Sequence, residues 1–87
     1  MSKKKILFIE DEVELVELMQ MRLEANNYQM IAAYDGQEGL KKVYSEKPDL
    51  ILLDVIMPKI DGLTLCRRLK DDPKTKHIPI IIISAAG

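Results

Sequence analysis

Eighty-seven residues, of which 47% are hydrophobic and 31% charged, make one domain at most, with the composition of an ordinary globular chain and not of a disordered one. A formal net charge of -1 gives no electrostatic footprint for nucleic acid or for an anionic membrane. A single cysteine, Cys66, excludes an intramolecular disulfide framework and suits a reducing compartment.

Lys3-Lys4-Lys5 precedes an apolar run as in a signal peptide, but Ile6 to Ile9 is short and meets Glu10-Asp11-Glu12. Neither a secretory signal nor a membrane span fits, and a soluble cytoplasmic protein is expected. Lys5 to Ile9 reads instead as a strand apolar on both faces. From Val13 the period becomes helical, with Leu15, Val16, Leu18, Met19 and Leu23 on one broad stripe. Glu12, Glu14 and Glu17 suit the positive end of that helix dipole, and Asn26-Asn27 makes a left-handed stop.

Tyr28 to Ala33 reads as a second, weaker strand whose alternation suggests a sheet edge. Asp35 with Glu38 three residues on is a capping-box pattern. The helix it opens carries Leu40, Val43 and Tyr44 on one face and ends before Pro48. Leu50 to Leu53 is an unbroken apolar run bounded by Pro48-Asp49 and Met57-Pro58, the pattern of a strand buried on both faces. It ends in Asp54. After the loop Val55 to Ile60, Asp61-Gly62 begins a third helix with Leu63, Leu65, Cys66 and Leu69 as its apolar face. Asp72-Pro73 stops it, because the residue before proline is pushed out of the helical region. Lys74 to His77 is a polar connection in which Lys74, Lys76 and His77 read as solvated, and Ile80 to Ile83, preceded by Pro79, is a fourth strand. Tyr34 and Tyr44 read as packing residues, and Cys66 as helix core.

The order β-α-β-α-β-α-β with short connections implies an α/β fold, a doubly wound parallel sheet with right-handed crossovers and helices on both faces. Ligands of such sheets sit at the carboxyl ends of the strands. Three strands stop there in polar residues: Glu10-Asp11, Asp54 and Ser84. Carboxylates crowded together raise one another's pKa unless a cation joins them. An open all-oxygen site suits Mg2+ better than a Ca2+ cage. A divalent ion there screens an incoming phosphoryl group from the carboxylates, so Asp54 can act as nucleophile. Ser84 and the backbone N–H of Ala85 are candidate donors to the phosphate oxygens.

Glu10-Asp11, Leu52-Leu53-Asp54 with Met57-Pro58 and Asp61-Gly62 behind it, and Ser84-Ala85 resemble the receiver domain of two-component response regulators, a flavodoxin-like phosphoacceptor module. The resemblance covers the whole chain. It implies that Asp54 takes a phosphoryl group from a histidine kinase or phosphotransfer protein to become an aspartyl-phosphate. It implies that Asp11, Asp54 and the backbone carbonyl of Ile56 hold Mg2+, that Glu10 assists directly or through water, and that Ser84 moves toward the phosphate on activation. Glu10 stands where the family more often has Asp.

The family's fold continues to a fifth strand bearing a near-invariant lysine and to two further helices. The expectation is therefore a domain truncated after the fourth strand, with no output domain present and impaired phosphate acceptance. Lys59, in the loop beyond Asp54, reads as a surface charge and not as a replacement. Such a piece would expose the edge of Ile80 to Ile83 and one sheet face, inviting a homo-oligomer.

Plainer readings stand beside these. Glu10 and Asp11 can serve as caps of the first helix, and Ser84 as a turn residue. A metal-dependent phosphohydrolase with Asp54 as nucleophile would commonly place a second aspartate two residues on, where this chain has Ile56. A non-phosphorylated interaction or assembly module is the remaining alternative. No activity on an external substrate is expected, only self-phosphotransfer and autodephosphorylation.

Overall fold

The computed structural model describes residues 3–54 and 62–83. Along the chain run β1 (Lys5–Ile9), α1 (Val13–Ala25), β2 (Gln29–Ala33), α2 (Gly36–Glu46), β3 (Leu50–Asp54), α3 (Gly62–Asp71) and β4 (Ile80–Ile83). The four strands form one parallel sheet in the order β2-β1-β3-β4. This is the expected doubly wound α/β arrangement, with the two fully apolar strands β1 and β3 adjacent at its centre and the alternating β2 at an edge.

Period-two geometry divides the apolar residues between two faces. Leu7, Ile9, Ile51 and Leu53 point to one side and pack with Val43 of α2 and with Leu65 and Leu69 of α3. Phe8, Met30 and Leu52 point to the other and meet Val16, Met19 and Leu23 of α1. Every side chain from Ile6 to Ile9 is buried. In β3, Ile51 and Leu53 are buried but Leu50 and Leu52 only half so, so the expectation of complete burial on both faces needs correction. On the Leu52 side α1 leans toward β2, leaving the β3–β4 half less covered.

Caps follow the sequence signals with one adjustment. The Asp35 carboxylate accepts the Glu38 N–H at 2.8 Å, as the capping box requires. Glu38 reaches back one residue further than the ideal box, its Oε1 accepting the Tyr34 N–H at 2.6 Å. Asn27 has φ 69° and Lys47 φ 50°, the left-handed stops of α1 and α2. Helix α3 ends at Asp71, one residue before the Asp72-Pro73 signal.

Four surface assignments need correction. Leu18 on α1 is 48% exposed and Leu63 on α3 is 57% exposed. At about 100° per residue, Leu18 lies well round the helix from the core-facing arc of Val16, Met19 and Leu23, and Leu63 turns away from Leu65 and Leu69. Tyr34 and Tyr44 are both substantially exposed rather than packed. The Tyr44 hydroxyl instead donates to the Asp72 carboxylate, tying α2 to the α3–β4 connection. In that connection Lys74, Lys76 and His77 are exposed, as expected. Thr75 is buried and its hydroxyl donates to the Leu69 carbonyl at 2.6 Å, while Lys70 Nζ donates to the carbonyls of Lys76 and Ile78. No helix among the described residues is long and apolar enough to cross a membrane.

Candidate metal and phosphate site

Sheet register builds this site. Ile9 stands opposite Leu53 in the β1–β3 pair. The next residues along the two strands, Glu10 and Asp54, therefore turn together to the α1 face at the carboxyl rim. Asp11 follows at the bend before α1. Glu10, Asp11 and Asp54 each bring a carboxylate oxygen into a cluster in which all three lie within 4.8 Å of one another. Glu10 and Asp54 are buried, at 2% and 4% exposure, while Asp11 is exposed. Two acids thus form the floor and one the open side.

Glu10 is anchored at both ends. Its backbone N–H donates to the Ala33 carbonyl at 2.9 Å, and its Oε2 accepts the Glu12 N–H at 3.1 Å. It thereby satisfies the amide of Glu12, the residue just ahead of α1, while facing the cluster. Its carboxyl is raised from the ordinary 4.5 to about 7. Burial is the largest cause, hydrogen bonding to Asp11 and Asp54 and the Asp54 charge add to it, and the Glu12 N–H opposes it. Mutual repulsion, named first from the sequence, is the lesser effect here. Nothing in the acidic run Glu10-Asp11-Glu12 singled out the Glu12 amide as a partner, because a backbone contact has no residue-type signature.

Three converging carboxylate oxygens are hard donors, and with one open side they fit a small divalent cation that keeps part of its water shell. Of the other residues expected here, Ile56, Ser84 and Ala85 lie outside the described residues, as do the Val55 to Ile60 loop with Met57-Pro58 and Lys59, and Asp61. Ile83, next before Ser84, is paired in register with Asp54, so β4 ends at the same rim.

The profile of the response regulator receiver domain matches residues 6–87. The alkaline phosphatase synthesis transcriptional regulatory protein PhoP of Bacillus subtilis is 46% identical over 82 residues, which are 94% of this chain and 33% of that protein. Response regulator PleD of Caulobacter vibrioides is 46% identical over 81 residues, 93% of this chain and 18% of that protein. The chain thus spans a third or less of these two relatives. A putative response regulator from Chloroflexus aurantiacus superposes with a TM-score of 0.92 at 34% identity, covering 99% of this chain and 70% of that one. The BeF3-activated receiver domain of Klebsiella pneumoniae RstA gives 0.88 at 32%, covering 97% and 69%. With the sheet order, the rim carboxylates and these likenesses in agreement, the chain belongs to the response regulator receiver domain family, the phosphorylation-controlled modules of two-component signalling.

Proposed function

We propose that Asp54 accepts a phosphoryl group from a histidine kinase or phosphotransfer protein in a Mg2+-dependent reaction. The observation that carries this reading is the convergence of Glu10, Asp11 and Asp54 at the carboxyl rim of a receiver-family sheet. Asp54 ends a strand that is hydrogen-bonded on both sides, so its carboxylate is held in place before any partner arrives. One of its oxygens forms a bond to phosphorus as the phosphorus–nitrogen bond of a phosphohistidine breaks, and the electron pair goes to the imidazole nitrogen, which then takes a proton. Later attack of water on phosphorus releases phosphate and regenerates Asp54. The chain acts on its own aspartate and on no external substrate.

Asp11 and Asp54, with the Ile56 carbonyl, are the proposed ligands, and Glu10 supports them directly or through water. Mg2+ when bound screens the rim carboxylates from the phosphoryl oxygens. Ser84 and the Ala85 N–H are the proposed phosphate donors, on the family resemblance alone.

The test is incubation with acetyl phosphate, with and without Mg2+, followed by intact-mass measurement. The expected result is a Mg2+-dependent gain of about 80 Da, one phosphoryl group, in low yield, as the expectation of impaired acceptance requires, and lost in Asp54→Asn. Asp11→Asn should weaken Mg2+ binding about tenfold or more, since one of few charged ligands is removed. Labelling that persists in Asp54→Asn would overturn the assignment.

An assembly role rests on a separate observation. Strand β4 lies at a sheet edge among the described residues, with Ile81 49% and Ile82 42% exposed on its two faces. We infer that a second copy of this chain pairs there.

A further inference from the structure

The pole of the molecule opposite the acidic cluster carries a cavity of about 770 Å³. It opens between the C-terminal turn of α2, the amino ends of β3 and β4, and the α3–β4 connection. This volume lies in the range of small-molecule sites. Its floor is apolar and closed: Val43, Pro48 and Ile78 are all buried.

The rim differs in character from the floor. Lys47 and Lys74 line it, and among the described residues neither forms an ion pair. The acidic group in the lining is Asp49, whose Oδ2 already accepts the Lys5 N–H at 2.8 Å. The Asp72 carboxylate, behind the lining, also acts on Lys74 but is taken up by the Tyr44 hydroxyl and the Lys74 N–H, so Lys47 is the cation at the rim with no carboxylate partner among the described residues. His77 adds a ring N–H donor beside them.

The walls are braced by bonds that owe nothing to a ligand. Lys47 is fixed in the left-handed region, its N–H donating to the Val43 carbonyl at 3.2 Å. The Asp72 carboxylate takes the Tyr44 hydroxyl and the Lys74 N–H, and its carbonyl takes the N–H groups of Thr75 and Lys76. Thr75 is pinned to Leu69. A site with fixed walls binds without the cost of ordering them.

We propose that this cavity is a second binding site, for a small organic anion with a flat apolar body and one carboxylate. The body lies on Val43, Pro48 and Ile78, and the carboxylate meets Lys47 and Lys74. The site shares no residue with the rim of Glu10, Asp11 and Asp54, so the inference stands apart from phosphate acceptance.

Amide shifts of the 15N-labelled chain, followed on addition of 2-naphthoate and in parallel of the uncharged 2-naphthalenemethanol, test it. The expected result is saturable movement at Val43, Lys47, Thr75, His77 and Ile78 with naphthoate, unaltered by Asp54→Asn. The alcohol should bind about tenfold more weakly, since charge-assisted hydrogen bonds are lost. The double variant Lys47→Asn with Lys74→Gln should weaken naphthoate by a similar factor. Both sites are exposed, and Asn suits the left-handed backbone at 47, so the variant's own spectrum will report an intact fold. Equal binding of acid and alcohol, movement centred on Ile81 and Ile82, or no movement up to the solubility of the probe would each overturn the proposal.

Discussion

At the scale of single residues, Glu10 is where structure and chemistry conflict most openly. A carboxyl raised from 4.5 to about 7 binds its proton more tightly in the folded chain than in the unfolded one. Below pH 4.5 both states are protonated and the fold keeps this contribution in full. Between 4.5 and about 7 the unfolded chain has released the proton while the fold must either hold it or bury a charge, so stability falls as pH rises. The loss by pH 7 is at most about 3 kcal/mol, from the size of the shift. Chemical denaturation across this window should show the decline, and Glu10→Gln should flatten it. A cation at the cluster reverses the preference: its ligands bind deprotonated, so Mg2+ affinity should rise from pH 6 to pH 8 and binding should release protons. A metal affinity independent of pH over that range would contradict the placement of Glu10 beside the ion.

At the scale of elements, Gly39 shows how tightly α2 sits on β1. A Cβ built there would lie 2.5 Å from Cδ1 and 2.9 Å from Cγ1 of Ile9, a side chain with 0% exposure. Replacing glycine by alanine inside a helix normally gains about 1 kcal/mol, whereas overpacking a closed core costs about 1–3 kcal/mol. Ile9 is branched at Cβ and enclosed by Val43 and Leu53, so the steric cost should win. Thermal denaturation of Gly39→Ala should show a net loss of up to about 2 kcal/mol, and a stabilised variant would mean that Ile9 has room to turn. No periodicity reading flags this position, because a glycine within a helical pattern looks like a weak helix former and not like a packing requirement. The strands were legible because their signals are local: Ile6 to Ile9 and Leu50 to Leu53 are apolar without interruption, and Asp35 and Asn27 punctuate the helices. Glu10, Asp11 and Asp54 could be brought together from the strand order that alternation implies. Exposure of Leu18 and Leu63 was not legible, since it depends on where neighbouring elements lie and not on the helix's own pattern. The cavity behind Lys47 and Lys74 was hidden for the same reason: its lining comes from two segments far apart in the chain, 43–49 and 74–79, and neither one alone signals a cavity.

At the scale of the whole molecule, the two edges of the sheet among the described residues are treated differently. In the β2 edge, Gln29 N–H and the Ala33 carbonyl bond toward the β1 side, so the polar groups of Ala32 face outward by the alternation of a parallel ladder. Lys42 Nζ caps that outward carbonyl at 2.6 Å, one of the ways in which proteins blunt an edge. On the other edge the Pro79 carbonyl accepts from Ile51 N–H, so the same alternation turns the amide groups of Ile80 and Ile82 away from β3. The strand Ile80–Ile83 carries no charge along its length, and four identical residues offer the same surface in either direction, which suits antiparallel pairing of two copies about a twofold axis. The 87-residue chain should therefore associate as its concentration rises, as sedimentation velocity would reveal. Ile82→Pro removes one outward N–H without touching the β3 ladder and should shift the population toward monomer, as should Ile81→Lys through charge on the exposed face. An unsubstituted chain that sediments as a monomer at millimolar concentration, or a dimer untouched by Ile82→Pro, would show that this edge is not where copies meet.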